Sequence, residues 1–246
     1  MIATSRRRCA GIATLALISW ATLALAEQAS AAKPRAHSAH AGRGHARAAK
    51  GHAKKGGGER KVEGSLDYEL QPASSSLPAT QTITLFLPGG VHVAGGKMPK
   101  CNPQSLERSG PSACPKGSQV GSGTATGWTL GQLWPLTLSL YNGPGGNLLS
   151  YVTASTPVKI ETVVEGHVST PPGGTYGEEI ANTIPSGLLE PLPGDPAQTV
   201  NLRVHVTGSS GWLRSTNCAP RALAVNFRFS YTNGQTLSIG GNLKCI

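Results

Sequence analysis

Apolar and polar residues alternate one for one along much of the chain beyond position 80. Ile83, Leu85 and Leu87 alternate with Thr82, Thr84 and Phe86, and Leu136, Leu138 and Leu140 with Thr137, Ser139 and Tyr141. Val158, Ile160, Thr162 and Val164 interleave with Lys159, Glu161, Val163 and Glu165; Leu202, Val204 and Val206 interleave with Asn201, Arg203 and His205. A last run sets Leu223, Val225, Phe227, Phe229 and Tyr231 against Ala224, Asn226, Arg228, Ser230 and Thr232. A two-residue period with one largely polar face predicts antiparallel strands half buried against another layer.

Turn chemistry punctuates these runs at Asn142-Gly143-Pro144-Gly145-Gly146, Pro171-Pro172-Gly173-Gly174 and Pro193-Gly194-Asp195-Pro196. Asn233-Gly234 predicts a hairpin with a type I′ turn. No segment has the period of an ordinary helix. The pattern therefore predicts an all-β domain over 62–246, an antiparallel β-sandwich of roughly eight to eleven strands.

One short helical turn is expected between two cysteines, with Asn102 as cap, Pro103 in the first position, Gly110 as stop and Pro111 beyond it. Past the N-terminal segment the cysteines are Cys101, Cys114, Cys218 and Cys245. An even set in an exported chain predicts two disulfides. Folding the hairpin at Asn233-Gly234 brings the residues before Ala222 toward Cys245, which favours Cys218 with Cys245 and Cys101 with Cys114.

The first 26 residues read as a secretory signal peptide. Arg6-Arg7-Arg8 precede an apolar run from Ala10 to Leu25, with cleavage expected after Ala24-Leu25-Ala26 or after Ala29-Ser30-Ala31. No second run is long enough to span a membrane, so no transmembrane segment is expected once the signal is removed, and the protein is expected in the cell envelope or outside the cell.

Residues 27–61 form a basic tract of Ala, Gly, His, Lys and Arg, too poor in large apolar side chains to offset the cost of ordering its backbone, and are expected to be disordered. Its basic residues are Lys33, Arg35, Arg43, Arg47, Lys50, Lys54, Lys55, Arg60 and Lys61, against Glu27 and Glu59. From Val62 onward ten bases face ten acids, so the formal net charge of +10 belongs to the N-terminal segments. Such a tail can hold anionic cell-wall polymers, a membrane surface or extracellular nucleic acid through counterion release, without reading any specific nucleic-acid sequence; the alternative is a solvated linker. His37, His40, His45 and His52 lack the regular spacing and the companion ligands of a built metal site, and no metal is expected.

The stretch from Cys114 to Gly127, CPKGSQVGSGTATG, resembles a phosphate-binding loop only in its glycines. Lys116 precedes Gly117 where a Walker loop needs its lysine after the second glycine, and Thr126 stands where the dinucleotide fingerprint needs a third glycine. A strand-like segment follows rather than a helix. The glycines are expected to serve close backbone approach or a bulge, and no cofactor is expected. Leu-Pro-Gly-Gly-Val at 87–91, followed by the segment from Cys101 to Ala125, resembles a recurring pattern in secreted actinobacterial β-domain proteins, Cys…Gly-Pro-x-x-Cys-Pro-x-Gly-Ser-x-Val-Gly-x-Gly. The resemblance implies an exported β domain with a local disulfide, and it carries no catalytic residue across.

Reactive constellations are sparse. Glu161 and Glu165 share a polar strand face with Lys159, Glu178 and Glu179 point to opposite sides of any strand, and Glu190 and Asp195 fall in a proline-rich loop. Gly117-Ser118 and Gly121-Ser122-Gly123 lack the spacing of a nucleophile elbow. His92, His167 and His205 have no sequence neighbour to act with. No catalytic residue is expected. Trp128, Trp134 and Trp212, with Tyr141 and Tyr176, are the candidate platforms for a ligand such as a sugar. The sequence thus predicts an exported, non-enzymatic domain with a structural or ligand-binding role; the alternative is a carbohydrate-binding or carbohydrate-active protein.

Overall fold

The computed structural model describes residues 58–69, 78–218 and 222–246. Twelve strands succeed one another: β1 (Arg60–Glu69), β2 (Thr80–Pro88), β3 (Val91–Val93), β4 (Gln119–Thr129), β5 (Gln132–Asn142), β6 (Leu148–Ala154), β7 (Ile160–Ser169), β8 (Tyr176–Thr183), β9 (Gln198–Val206), β10 (Leu213–Ser215), β11 (Leu223–Tyr231) and β12 (Thr236–Cys245). Two short helices interrupt them, α1 (Pro103–Ser109) and α2 (Ser186–Leu189).

The strands pair in the order β12-β11-β2-β8-β7-β6-β5-β4-β9-β1, and β1 pairs back onto β12 through Val62 with Cys245 and Gly64 with Leu243. This last pairing joins the two edges of the sheet. The domain is therefore a closed barrel of ten antiparallel strands rather than the expected sandwich. Alternation shows that each strand buries one face, and both architectures satisfy that condition; only the meeting of the first and last strands distinguishes them. β10 and β3 extend from β1 across one end, Lys61 pairing with Arg214 and Leu213 with Val93.

The faces fall as the alternation predicts. Ile83, Leu85, Leu136, Leu138, Leu140, Leu202, Val204, Val206, Val225 and Phe227 turn inward. The outward registers carry Glu161, Glu165, Glu179, Arg228 and Lys244, with an exposed ion pair between Asp67 and Arg203 at 3.0 Å. Charge outside and apolar residues inside is the reverse of a membrane-spanning barrel, whose lipid-facing band is apolar. No helix among the described residues is long and apolar enough to cross a membrane.

Three aromatic residues in the outward register, Phe86, Tyr141 and Tyr151, are covered rather than exposed. Phe86 lies beneath the Arg228 guanidinium, 4.8 Å from its Cζ, and beside Tyr176 at 5.0 Å between ring centroids. Tyr141 is buried with Leu149 and Tyr151 under Leu106 of α1. That helix forms as its sequence predicts: the Asn102 side chain accepts from the Ser105 amide at 2.9 Å, Pro103 opens the first turn, and the Gly110 amide closes on the Leu106 carbonyl. The flanking disulfide, Cys101–Cys114, fastens the loop to the outside of β5, β6 and β7. Cys218–Cys245 ties the segment before β11 to the end of β12, as the hairpin geometry predicts.

The hairpin at Asn233-Gly234 is present, with a different turn. Gly234 has φ +82°, but Asn233 is not at positive φ; the Gly234 amide donates to the Tyr231 carbonyl at 2.9 Å, a type I turn ending on a left-handed glycine. The two-residue turn with positive φ at both positions is instead Leu130-Gly131, at 52° and 70°, between β4 and β5. The Asp195 carboxylate holds it, accepting from the Leu130 amide at 2.8 Å and the Thr129 hydroxyl at 3.3 Å.

Candidate functional site

The glycines that raised the phosphate question lie within β4 itself. A Cβ on Gly121 or Gly123 would collide with the carbonyls of His205 or Arg203 on the neighbouring β9. The register of β4 shifts against β5 between Gln119 and Gly121, and against β9 between Thr126 and Gly127. The stretch is a bulged barrel strand whose missing side chains admit close backbone approach.

Closing ten strands leaves more interior than the side chains fill. An eight-stranded barrel is just wide enough to be packed by its own side chains or to hold one small ligand, and width grows with strand number. Here a cavity of about 150 Å³ runs between the ten strands of the barrel, β1, β2, β4, β5, β6, β7, β8, β9, β11 and β12. Its wall is built mainly from leucine, valine and isoleucine, including Leu136, Leu138, Val152, Val164, Ile180 and Leu202. Among the described residues, no ionisable side chain lines it.

A tryptophan stands at each end. Trp134 enters from the start of β5, packs with Val152, Val164 and Leu188 of α2, and donates its indole N–H to the Val158 carbonyl at 3.1 Å. Trp212 comes from the segment before β10, packs with Val91, Leu148 and Leu213, and donates to Asn142 Oδ1 at 3.1 Å. Both rings are 1 % exposed or less, so neither is a surface platform for a sugar; they are inner walls. Trp128 alone of the three lies half-exposed on the outer register of β4, opposite Leu133. Of the three candidate platforms, Trp134 and Trp212 are thus buried and Trp128 faces outward by itself.

Few polar groups reach the cavity wall. Thr80 Oγ1 accepts from the Thr199 amide at 3.1 Å, and Asn182 Nδ2 donates to the Ile83 carbonyl at 2.9 Å. Ser150 is buried there also. Gln198, between inward Ala197 and Thr199, pairs with Trp128 on the outer register and is 4 % exposed.

The other candidates lie apart and are engaged locally. Lys159 and Glu161 form an exposed pair at 3.5 Å on β7. Glu178 accepts from the Val93 amide at 2.7 Å and Glu179 from the Ser169 hydroxyl at 3.0 Å. Glu190 closes its own loop on the Gly194 amide, and Asp195 caps the turn described above. His92 sits 3.5 Å from Glu59, His167 is 3.3 Å from the Asn147 amide, and His205 is exposed on β9. The described residues contain no group of three or more metal-ligating side chains.

Arg60 and Lys61 belong to β1 rather than to the tail, and Lys61 Nζ donates to the Ser209 carbonyl at 3.1 Å. Lys33, Arg35, Arg43, Arg47, Lys50, Lys54, Lys55, the tail histidines and the signal segment lie outside the described residues. No protein-family model matches this chain, and neither a curated protein nor a solved structure matches it.

Proposed function

We propose that this protein is an exported, non-enzymatic binding protein that holds a small apolar ligand inside its barrel. The observation that carries this reading is the interior itself: about 150 Å³ of space walled by aliphatic side chains in a domain whose outer faces are charged. An apolar cavity of this size stays dry when empty, so an apolar occupant gains contacts without displacing bound water. A mostly apolar, enclosed concavity with a few placed polar groups is the usual form of a small-molecule site.

Export is supported by the arginine-led apolar segment and by two disulfides, which persist in oxidising compartments. The basic tail would act as an electrostatic tether to anionic envelope polymers, separate from the barrel's own task.

The test is isothermal titration with p-xylene, a neutral single-ring ligand small enough for this space. Saturable binding, together with a change in emission from Trp134 and Trp212, is expected for the natural protein. Ala125→Phe places a ring in the cavity and should abolish the binding while the circular dichroism remains that of the folded barrel. Equal binding by both proteins would show that the ligand sits elsewhere and would refute the reading.

A further inference from the structure

We infer that the folded domain carries a docking row for an anionic envelope polymer, formed by Lys61, Arg214 and His92 on three adjoining strands and occupied in the free protein by the Glu59 carboxylate. This rests on the proposed tethering by the tail and extends it to the barrel; it is independent of what the barrel encloses.

Strand pairing builds the row. Lys61 of β1 stands opposite Arg214 of β10, and Arg214 stands opposite His92 of β3, so the three side chains share one face. That face is the outer one, because the neighbours of Arg214 along β10, Leu213 and Ser215, are each 1 % exposed. Like charges directly opposite on neighbouring strands destabilise a sheet. Lys61 and Arg214 nevertheless converge: a Cβ on Gly211 would lie 3.3 Å from Lys61 Cε and 3.7 Å from Arg214 Nη2. Gly211, having no side chain, leaves the space between them open.

Counter-charge is short in this row. Glu59 Oε2 is 3.7 Å from Arg214 Nη1 and its Oε1 is 3.5 Å from His92 Nε2, both longer than a charge-assisted hydrogen bond. Lys61 makes no ion pair among the described residues, and its Nζ donates to the Ser209 carbonyl. Glu63, the next residue on that face of β1, stands opposite Lys244 of β12. One loosely held carboxylate thus answers for three basic groups, and it marks the place that an anionic group of the polymer takes. An arginine fork suits a carboxylate or a phosphate on two nitrogens, and Arg214 presents Nη1 to Glu59 and Nη2 to the gap at Gly211.

A polymer fits this end of the barrel better than a bilayer. Seven bases from Lys33 to Lys55 precede Glu59 in the chain, so the row continues a linear run of charge. Three of the four exposed large apolar side chains, Leu130, Leu133 and Leu192, lie at the opposite end beside Asp195, where they could not enter a membrane that the row faces. So few charges bind weakly alone. Joined to the tail, they form the second point of a two-point attachment.

Isothermal titration of the mature protein with long-chain inorganic polyphosphate, repeated over a range of sodium chloride concentrations, tests this. Arg214→Gln and Lys61→Gln should each bind several-fold more weakly at low salt and reduce the slope of log K against log salt by about one. Arg214→Lys keeps the charge and should keep the slope. Glu59→Gln removes the resident competitor and should bind several-fold more tightly. Glu190→Gln, at the opposite end, changes the net charge equally and should leave binding as it is. Equal gains from Glu59→Gln and Glu190→Gln, or unchanged slopes in Arg214→Gln and Lys61→Gln, would overturn the inference and leave tethering by the tail standing. Vesicles of anionic lipid bound with the same dependence on Arg214 as polyphosphate would assign the row to a membrane and overturn the polymer. Failure of the natural protein to bind polyphosphate would overturn row and tether together.

Discussion

The indole nitrogen of Trp212 donates to Oδ1 of Asn142 at 3.1 Å, and both residues are fully buried. Asn142 spends its remaining groups on four other partners. Nδ2 donates to the carbonyls of Gly95 and Pro99 at 3.0 Å each, the backbone amide donates to Ser118, and the backbone carbonyl accepts from Cys101. One side chain at the end of β5 therefore joins the end-capping tryptophan, the turn after β3 and the start of the disulfide loop.

Asn142→Leu should consequently be among the most damaging single changes outside the aliphatic core. It removes three side-chain hydrogen bonds and strands the Trp212 donor and two carbonyls, a loss of about 3–5 kcal/mol by the cost of unsatisfied buried groups. Trp212→Phe strands only Oδ1 of Asn142 and trims packing, and should cost less. Urea unfolding of the two variants beside the natural protein measures the order; equal losses would mean that packing rather than the bond network dominates.

Leu130 sits at φ +52°, a conformation that costs an L-residue with a side chain about 1–2 kcal/mol and asparagine less. Leu130→Asn should raise the unfolding temperature. Asp195→Ala should lower it, since the Leu130 amide and the Thr129 hydroxyl lose their acceptor. Differential scanning calorimetry distinguishes the two signs directly.

The outer layer beneath α1 responds to alkali. Burial pushes the Tyr141 hydroxyl above the ordinary tyrosine value of 10.0, opposed in part by a hydrogen bond to Ser139; burial does the same for Tyr151, and the Glu161 carboxylate adds to it. Well below pH 10 both residues are neutral in either state. As pH rises past that value the unfolded chain releases these protons first, so stability falls until the folded tyrosines titrate as well. Tyr151→Phe keeps the ring and removes one such proton. Thermal unfolding followed from pH 9 upward should therefore decline less steeply in the variant, and parallel curves would contradict this account.

The proposed tethering by the tail can be tested apart from the proposed binding by the barrel. A chain beginning at Gly58 keeps β1 and its pairing with β10 intact, whereas one beginning at Val62 would cut into it. Sedimentation with purified cell envelope at low and high salt should show salt-released binding for the mature protein and none for the shortened form. Equal, salt-insensitive binding by both would assign attachment to the barrel surface.

The sequence by itself determined whatever is decided between near neighbours. Alternation told which residues turn inward in β2, β5, β7, β9 and β11. The Asn102-Pro103 pair and Gly110 bounded the one helical turn between the cysteines, and the hairpin around Gly234 is short enough to bring Cys218 to Cys245. Period two, however, carries no information on curvature. Whether the sheet closes depends on Val62 meeting Cys245 across nearly the whole domain, and no local pattern encodes that contact. The number of strands that close sets the barrel's width, and width decides whether inward side chains fill the interior or leave a cavity. The tryptophans changed meaning for the same reason: a large ring on an alternating strand suits a surface platform or an inner wall equally well, until closure fixes which side is inside.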